Sequence, residues 1–253
     1  SCRDSLKRTP LMAAAGGTPS LISSILEAGA DSEDLDANGW TALWHAVEGN
    51  CLEAMVDLLA GGADPGISVA GTPLVTRALE QGKVAAVFLL LDAGASPVSE
   101  GKKAGPLARL AVEKGHLLVL KELARRGIDF KGESEALLHL AMEREHFEVL
   151  EFLLESGMDP AGKNESGESL LHAAIGASRA HLVPLLIQHG VAIDEHNPQG
   201  WTPLQLAILA RDSDLLQVLL DHGADLEKLS ACEGEARSAL SLAIENELYA
   251  MAR

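Results

Sequence analysis

A phrase of the Gly-Ala-Asp type recurs at Gly29, Gly62, Gly94, Gly127, Gly157, Gly190 and Gly223, at successive spacings of 33, 32, 33, 30, 33 and 33 residues. This period constrains the fold more than any other feature of the chain. A unit of about 33 residues is too small to bury its own apolar faces, so it must stack on its neighbours. Each Gly follows an apolar run, such as Val56-Asp57-Leu58-Leu59 or Val218-Leu219-Leu220.

A second phrase keeps step with the first: Thr9-Pro10-Leu11, Thr41-Ala42-Leu43, Thr72-Pro73-Leu74, Gly105-Pro106-Leu107, Ala136-Leu137-Leu138, Ser169-Leu170-Leu171, Thr202-Pro203-Leu204 and Ser238-Ala239-Leu240. Thr or Ser can cap a helix by accepting free N–H groups of its first turn, and Pro fits the first helical position, where its missing N–H costs nothing. A short apolar helix follows, with a small residue at its centre (Ala14, Ala46, Ala78, Ala111, Ala141, Ala174, Ala207, Ala243) that lets neighbouring helices approach. Turns at Gly49-Asn50, Gly82 and Gly115 lead into a second helix with apolar residues at helical spacing, for example Phe147, Leu150, Phe152, Leu153 and Leu154. The Gly of Gly-Ala-Asp then supplies a left-handed residue that closes it.

The pattern resembles the ankyrin repeat, and matches it best at Gly200-Trp201-Thr202-Pro203-Leu204-Gln205-Leu206-Ala207-Ile208, followed by Leu219-Leu220 and Gly223-Ala224-Asp225. The tetratricopeptide repeat, the rival helical type, lacks the Gly-Ala-Asp closure. The resemblance implies an all-α solenoid of paired short antiparallel helices with projecting hairpin or loop fingers, the fingers and first helices lining its concave side. The phrases predict one array over 1–253, with units near 7–37, 38–69, 70–102, 103–132, 133–164, 165–197 and 198–235 and a partial eighth at 236–253. That last unit ends within its second helix without a polar capping helix, as expected of either a chain that continues or an ordered region cut short.

Irregular units are where a partner surface is expected. Unit three carries an extra residue between Thr72 and Ala78, shifting its helix start. Unit four lacks the capping Thr and places Arg109 where the family prefers His. The link 129–134 is too short for a full finger, and the link 225–238, carrying Cys232, is long. Trp40 and Trp201 precede capping Thr residues at the finger base, a place that varies in the family and often meets ligand, and tryptophan is enriched among residues that carry interface energy. Trp44 takes the usual His slot, with His45 displaced by one place. An aromatic and acidic patch of Asp36, Asn38, Trp40 and Trp44 is therefore expected to contact a partner, with Arg109, Gln199 and Trp201 further along.

The formal net charge of −17 opposes general affinity for DNA or RNA; it serves mostly to secure solubility and also permits attraction to a partner with a basic surface. From Asp31 to Asp64 eight acidic residues meet no Lys or Arg. From Glu100 to Lys131, Lys102, Lys103, Arg109, Lys114, Lys121, Arg125, Arg126 and Lys131 face four acids, and from Glu133 to Asp159 Arg144 is the sole base. A basic waist between acidic ends is expected. No apolar run approaches the ~18–20 residues that cross a bilayer, and Ser1-Cys2-Arg3-Asp4 opens no signal-peptide core. Cys2, Cys51 and Cys232 have no metal or disulfide spacing, which favours a reducing, cytoplasmic setting. A lipid-anchored Cys2 or an exported form stays open.

Catalytic motifs are missing: there is no phosphate loop, no Gly-x-Ser-x-Gly elbow and no His-Glu-x-x-His helix. His139 and His172 sit in the family slot that holds adjacent units together, and His189 and His222, 33 residues apart, fall on successive units about 10 Å apart, too far to share zinc. The sequence therefore predicts a monomeric, non-catalytic interaction module with no cofactor or metal that binds a protein or peptide. The alternatives are a region of a larger multidomain protein, or a self-associating scaffold.

Overall fold

The computed structural model describes residues 3–96, 105–231 and 236–245. Cys2, Lys102, Lys103, Cys232 and the end of the eighth unit lie outside the described residues. The chain forms two compact units, Ser1–Asp129 and Phe130–Arg253.

The first unit holds α1 (Pro10–Gly17), a 3-10 turn (Pro19–Leu21), α2 (Ile22–Glu27), α3 (Ala42–Glu48), α4 (Leu52–Ala60), α5 (Leu74–Glu80), α6 (Val84–Asp92), α7 (Pro106–Glu113) and α8 (Leu117–Arg125). The second holds a 3-10 turn (Lys131–Glu133), α9 (Ser134–Glu143), α10 (Phe147–Glu155), α11 (Leu170–Gly176), α12 (Leu182–Gln188), α13 (Pro203–Ala210), α14 (Ser213–Asp221) and α15 (Ala239–Glu245). Within the first unit the odd helices pack in one layer, α1 on α3, α3 on α5 and α5 on α7, while α2, α4, α6 and α8 form the other. In the second unit α9, α11, α13 and α15 pack in sequence, and α12 packs on α14.

The central alanines sit where these layers meet. Ala46, Ala78, Ala111, Ala141, Ala174 and Ala207 are fully buried, so the absence of a larger side chain is what allows the first helices to touch. Leucines on both sides fill the rest: Leu43, Leu58, Leu74, Leu90, Leu107, Leu120 and Leu123 are at most 2% exposed, each worth roughly 1.5–3 kcal/mol of burial.

Local chemistry sets the helix ends. The side chains of Thr9, Thr41, Ser169 and Thr202 accept the N–H three residues on, from Met12, Trp44, His172 and Gln205. Thr202 and Gln205 complete a capping box, the Gln205 carboxamide accepting the Thr202 N–H at 2.9 Å. All seven closing glycines have positive φ, from 79° at Gly157 to 102° at Gly94, which a side chain would strain. The turns between paired helices use the same left-handed geometry, at Asn50, Gly82 and Gly115 but also at Glu145, Ser178 and Arg211. Pro184 is the third residue of α12, inside the first turn, where its missing N–H breaks no helical bond.

One expectation changes. Thr72 does not cap a helix: it pairs with Val69 in a short hairpin, β1 (Ser68–Val69) and β2 (Thr72–Pro73), turned by Ala70 and Gly71 with φ of 51° and 81°. Helix α5 starts at Leu74 with Pro73 as an unassisted cap. The extra residue of this unit delays the helix, which leaves Thr72 to the finger. As its short length predicts, the link 129–134 forms no full finger but a 3-10 turn running into α9.

Thr202→Ala is expected to destabilise the protein by about 1 kcal/mol and Thr72→Ala by clearly less, because only Thr202 holds a helix N-terminus. Urea unfolding followed by circular dichroism measures both.

Candidate partner-binding surface

The fingers are built on side-chain turns that start at Asp or Asn. Asp36 Oδ1 accepts the N–H of Asn38 at 2.7 Å and of Trp40 at 3.0 Å, while the Asp36 N–H donates to the Trp40 carbonyl. Asn164 does the same with Ser166 and Glu168, and Asn197 with Trp201 at 2.9 Å. Gly39, Gly167 and Gly200 turn the tips with φ near 80°. Asp36 is expected from the sequence only as a contact residue, and Asn164 and Asn197 not at all, although their signal is present: Asx, two residues, Gly, one residue, then Thr or Ser.

In the first unit this turn assembles the expected aromatic patch. Trp40 stacks on Trp44 with ring centroids 6.0 Å apart and meets the edge of His45 at 5.5 Å. His45 Nε2 lies 3.0 Å from Asp36 Oδ2. Burial disfavours ionised Asp36, but the N–H groups of Trp40 and Asn38 and the His45 ring outweigh it and hold the carboxyl below its ordinary range. Asp36 and Trp44 are buried, so their side chains serve as the base of the patch, while Asn38 is exposed and Trp40 half-exposed. In the second unit Gln199 is exposed at a finger tip and Trp201 half-exposed beside it, its N–H held by Asn197.

Arg109 precedes Ala111 by two residues, as His172 precedes Ala174, yet it does not enter the buried slot. Ala111 lies four positions after Leu107, whereas Ala174 lies three after Leu171. One added helical residue turns the following side chain by about 100°, so Ala108 is buried and Arg109 points to solvent.

Where the slot is filled by a polar side chain, it ties one finger to the next. Gln205 Nε2 donates to the carbonyls of Lys228 at 3.0 Å and Arg237 at 2.9 Å. His139 Nε2 lies 3.2 Å from the Gly162 carbonyl. His172 Nδ1 is 2.7 Å from Ser169 Oγ, and burial holds its imidazole below the ordinary histidine range, opposed by the backbone of Trp201 and Glu195 in the next finger. Trp44 Nε1, in the same slot, has no acceptor among the described residues.

Charge follows a similar logic. Arg126 of the basic segment is held by Glu122, the Leu91 carbonyl and Asp92, and Arg77 by Glu48 at 2.8 Å. An open groove of about 530 Å³ runs between the 65–73 finger, α5 and α7, lined in part by Pro65, Thr72, Thr76, Glu80 and Pro106. Among the described residues no three His, Cys, Asp or Glu side chains stand together as metal ligands, and no helix is long and apolar enough to cross a membrane.

Compared with known proteins, the chain matches the family model for ankyrin repeats in three copies, over residues 1–69, 75–164 and 138–230. It is similar to the crystal structure of the human ASB11 ankyrin repeat domain, with 27% identity and a TM-score of 0.62 over 86% of this chain and 99% of that one. No curated protein sequence matches it.

The depressed pKa of His172 gives a signed prediction. Its neutral form is held in the native state, so the unfolded chain takes up more protons as pH falls below about 6.5. The contribution to stability is present above that pH and is lost as pH drops toward the lower folded value. Chemical denaturation at pH 7.5 and 5.5 is expected to show less acid sensitivity in His172→Gln than in the wild type.

Proposed function

Because the chain belongs to the ankyrin-repeat family, whose members serve generally as non-catalytic protein-interaction modules, we propose that it binds a protein or peptide through its fingers and first helices. The observation that carries this reading is the finger at residues 36–41. A buried Asp36, a buried Trp44 and His45 fix the ring of Trp40, whose outer part stays at the surface. A pre-positioned tryptophan loses little side-chain entropy on binding and offers a large apolar area. Asn38 beside it and Arg109 on α7 supply further contacts in the first unit, with Asp36 and Trp44 acting from beneath, and the Gln199–Trp201 finger offers a contact of its own in the second.

The excess of acid favours a partner with a basic surface, for which it would mainly raise the association rate and select against acidic competitors. Such a module serves equally as one region of a larger protein.

Affinity capture from native lysate, comparing the wild type with Trp40→Ala/Trp201→Ala, tests the reading. Circular dichroism confirms that both forms are folded. The wild type is expected to retain a partner that the variant binds at least about tenfold more weakly. Equal capture by both forms would show these tryptophans to be scaffold.

A further inference from the structure

Six residues before each closing glycine, the second helix turns one side chain outward. Those residues are Ser23, Val56, Phe88, Lys121, Glu151, Pro184 and Gln217. The position is exposed throughout except at Phe88, which is half-buried. Large apolar side chains occupy it only on α4 and α6, which are neighbours in the outer layer of the first unit.

The layer α4–α6–α8 is graded in charge as well. On α4, Leu52 and Val56 are 37% and 49% exposed and run beside Glu53 and Asp57. On α6 the outward side chains are Ala85, Phe88 and Leu89. On α8, Leu118 is 65% exposed, Lys121 is exposed, and the Arg125 side chain is 68% exposed while bonded to Glu122 of the same helix at 2.8 and 2.6 Å. Apolar surface thus runs across all three helices, acidic at one edge and basic at the other.

We propose that this outer layer is a self-complementary docking surface for a second copy of the same chain. A twofold axis along α6 sets α4 of each copy over α8 of the other. Glu53 and Asp57 then face Lys121 and Arg125 twice, and the two Phe88 side chains meet near the axis. Self-complementarity of one patch is what a closed dimer requires. Reversed charges at the two edges also fix the register, because any pairing of α4 with α4 opposes like charges.

The area limits the strength of the contact. Three nine-residue helices side by side present roughly 400 Å² per copy, about half of what each partner contributes to a standard stable interface. The dimer is therefore weak and salt-dependent, and the monomer expected from the sequence is the species at low concentration. This surface uses none of the finger residues, so it stands apart from the partner-binding reading.

Sedimentation equilibrium of the full chain from about 1 µM to about 1 mM, the range of weak association, tests the proposal. The wild type is expected to dimerise at low salt and to dissociate at least about tenfold more readily near 1 M salt, where charges are screened within ~3 Å. Glu53→Lys/Asp57→Lys and Lys121→Glu/Arg125→Glu should each remain monomeric, yet form a heterodimer when mixed one to one. Restored association in the mixture also shows that both variants are folded. A wild type that stays monomeric throughout, variants that self-associate as the wild type does, or a mixture that fails to pair would each overturn it.

Discussion

The structure depends on contact between neighbouring helix pairs. No pair has enough apolar surface to bury alone, and the burial that stabilises it is supplied largely by the next pair. Within each unit the first helices meet at a buried alanine flanked by fully buried leucines. A methyl group at that place sets the distance between neighbours, since close-packed interiors register even one added methylene. The period in the sequence is the trace of this requirement: each copy must repeat the small residue, the cap and the closing glycine, or the next copy has nothing to rest on.

Polar groups complete the same linkage. A buried polar residue two places before the central alanine faces the following finger. Where it is Gln205 or His139, it bonds to backbone carbonyls there. Gln205 thereby caps its own helix and anchors the finger of its neighbour. The fingers are stiffened in turn by Asp36, Asn164 and Asn197, whose side chains accept N–H groups across each tip. A rigid finger with a variable side chain at its base is what recognition asks of such a scaffold, and Trp40 and Trp201 stand at that base.

Much of this could be read from residues alone. The closing glycines, the caps at Thr9, Thr41, Ser169 and Thr202, and the buried alanines all follow from rules that act within one turn of helix. What could not be read depended on single-residue changes in register. Thr72 carries the same Thr-Pro-Leu phrase as Thr202, but one extra residue moves its helix start and gives the threonine to a hairpin. The same kind of insertion rotates Arg109 out of the buried slot that His172 occupies. Burial was the other gap. Asp36 and Trp44 look like surface candidates by composition, and only the packing of Trp40 and His45 over them shows that they lie beneath it. Runs of like charge were visible in sequence, but not that Arg126 is already held by Glu122, Asp92 and a carbonyl.

The central claim is that each repeat is held by its neighbour, and native-state hydrogen exchange on Gln205→Ala tests it most directly. The substitution removes two bonds into the next finger, a loss of about 1–3 kcal/mol where the freed carbonyls stay buried. Faster exchange at Ser230 and Ala231, whose N–H groups bond to the Arg237 and Gly200 carbonyls, with the α13 amides still protected, is the predicted result. Exchange that rises only within α13 and leaves residues 228–238 unchanged would contradict it, and would mean that each repeat is stabilised from within.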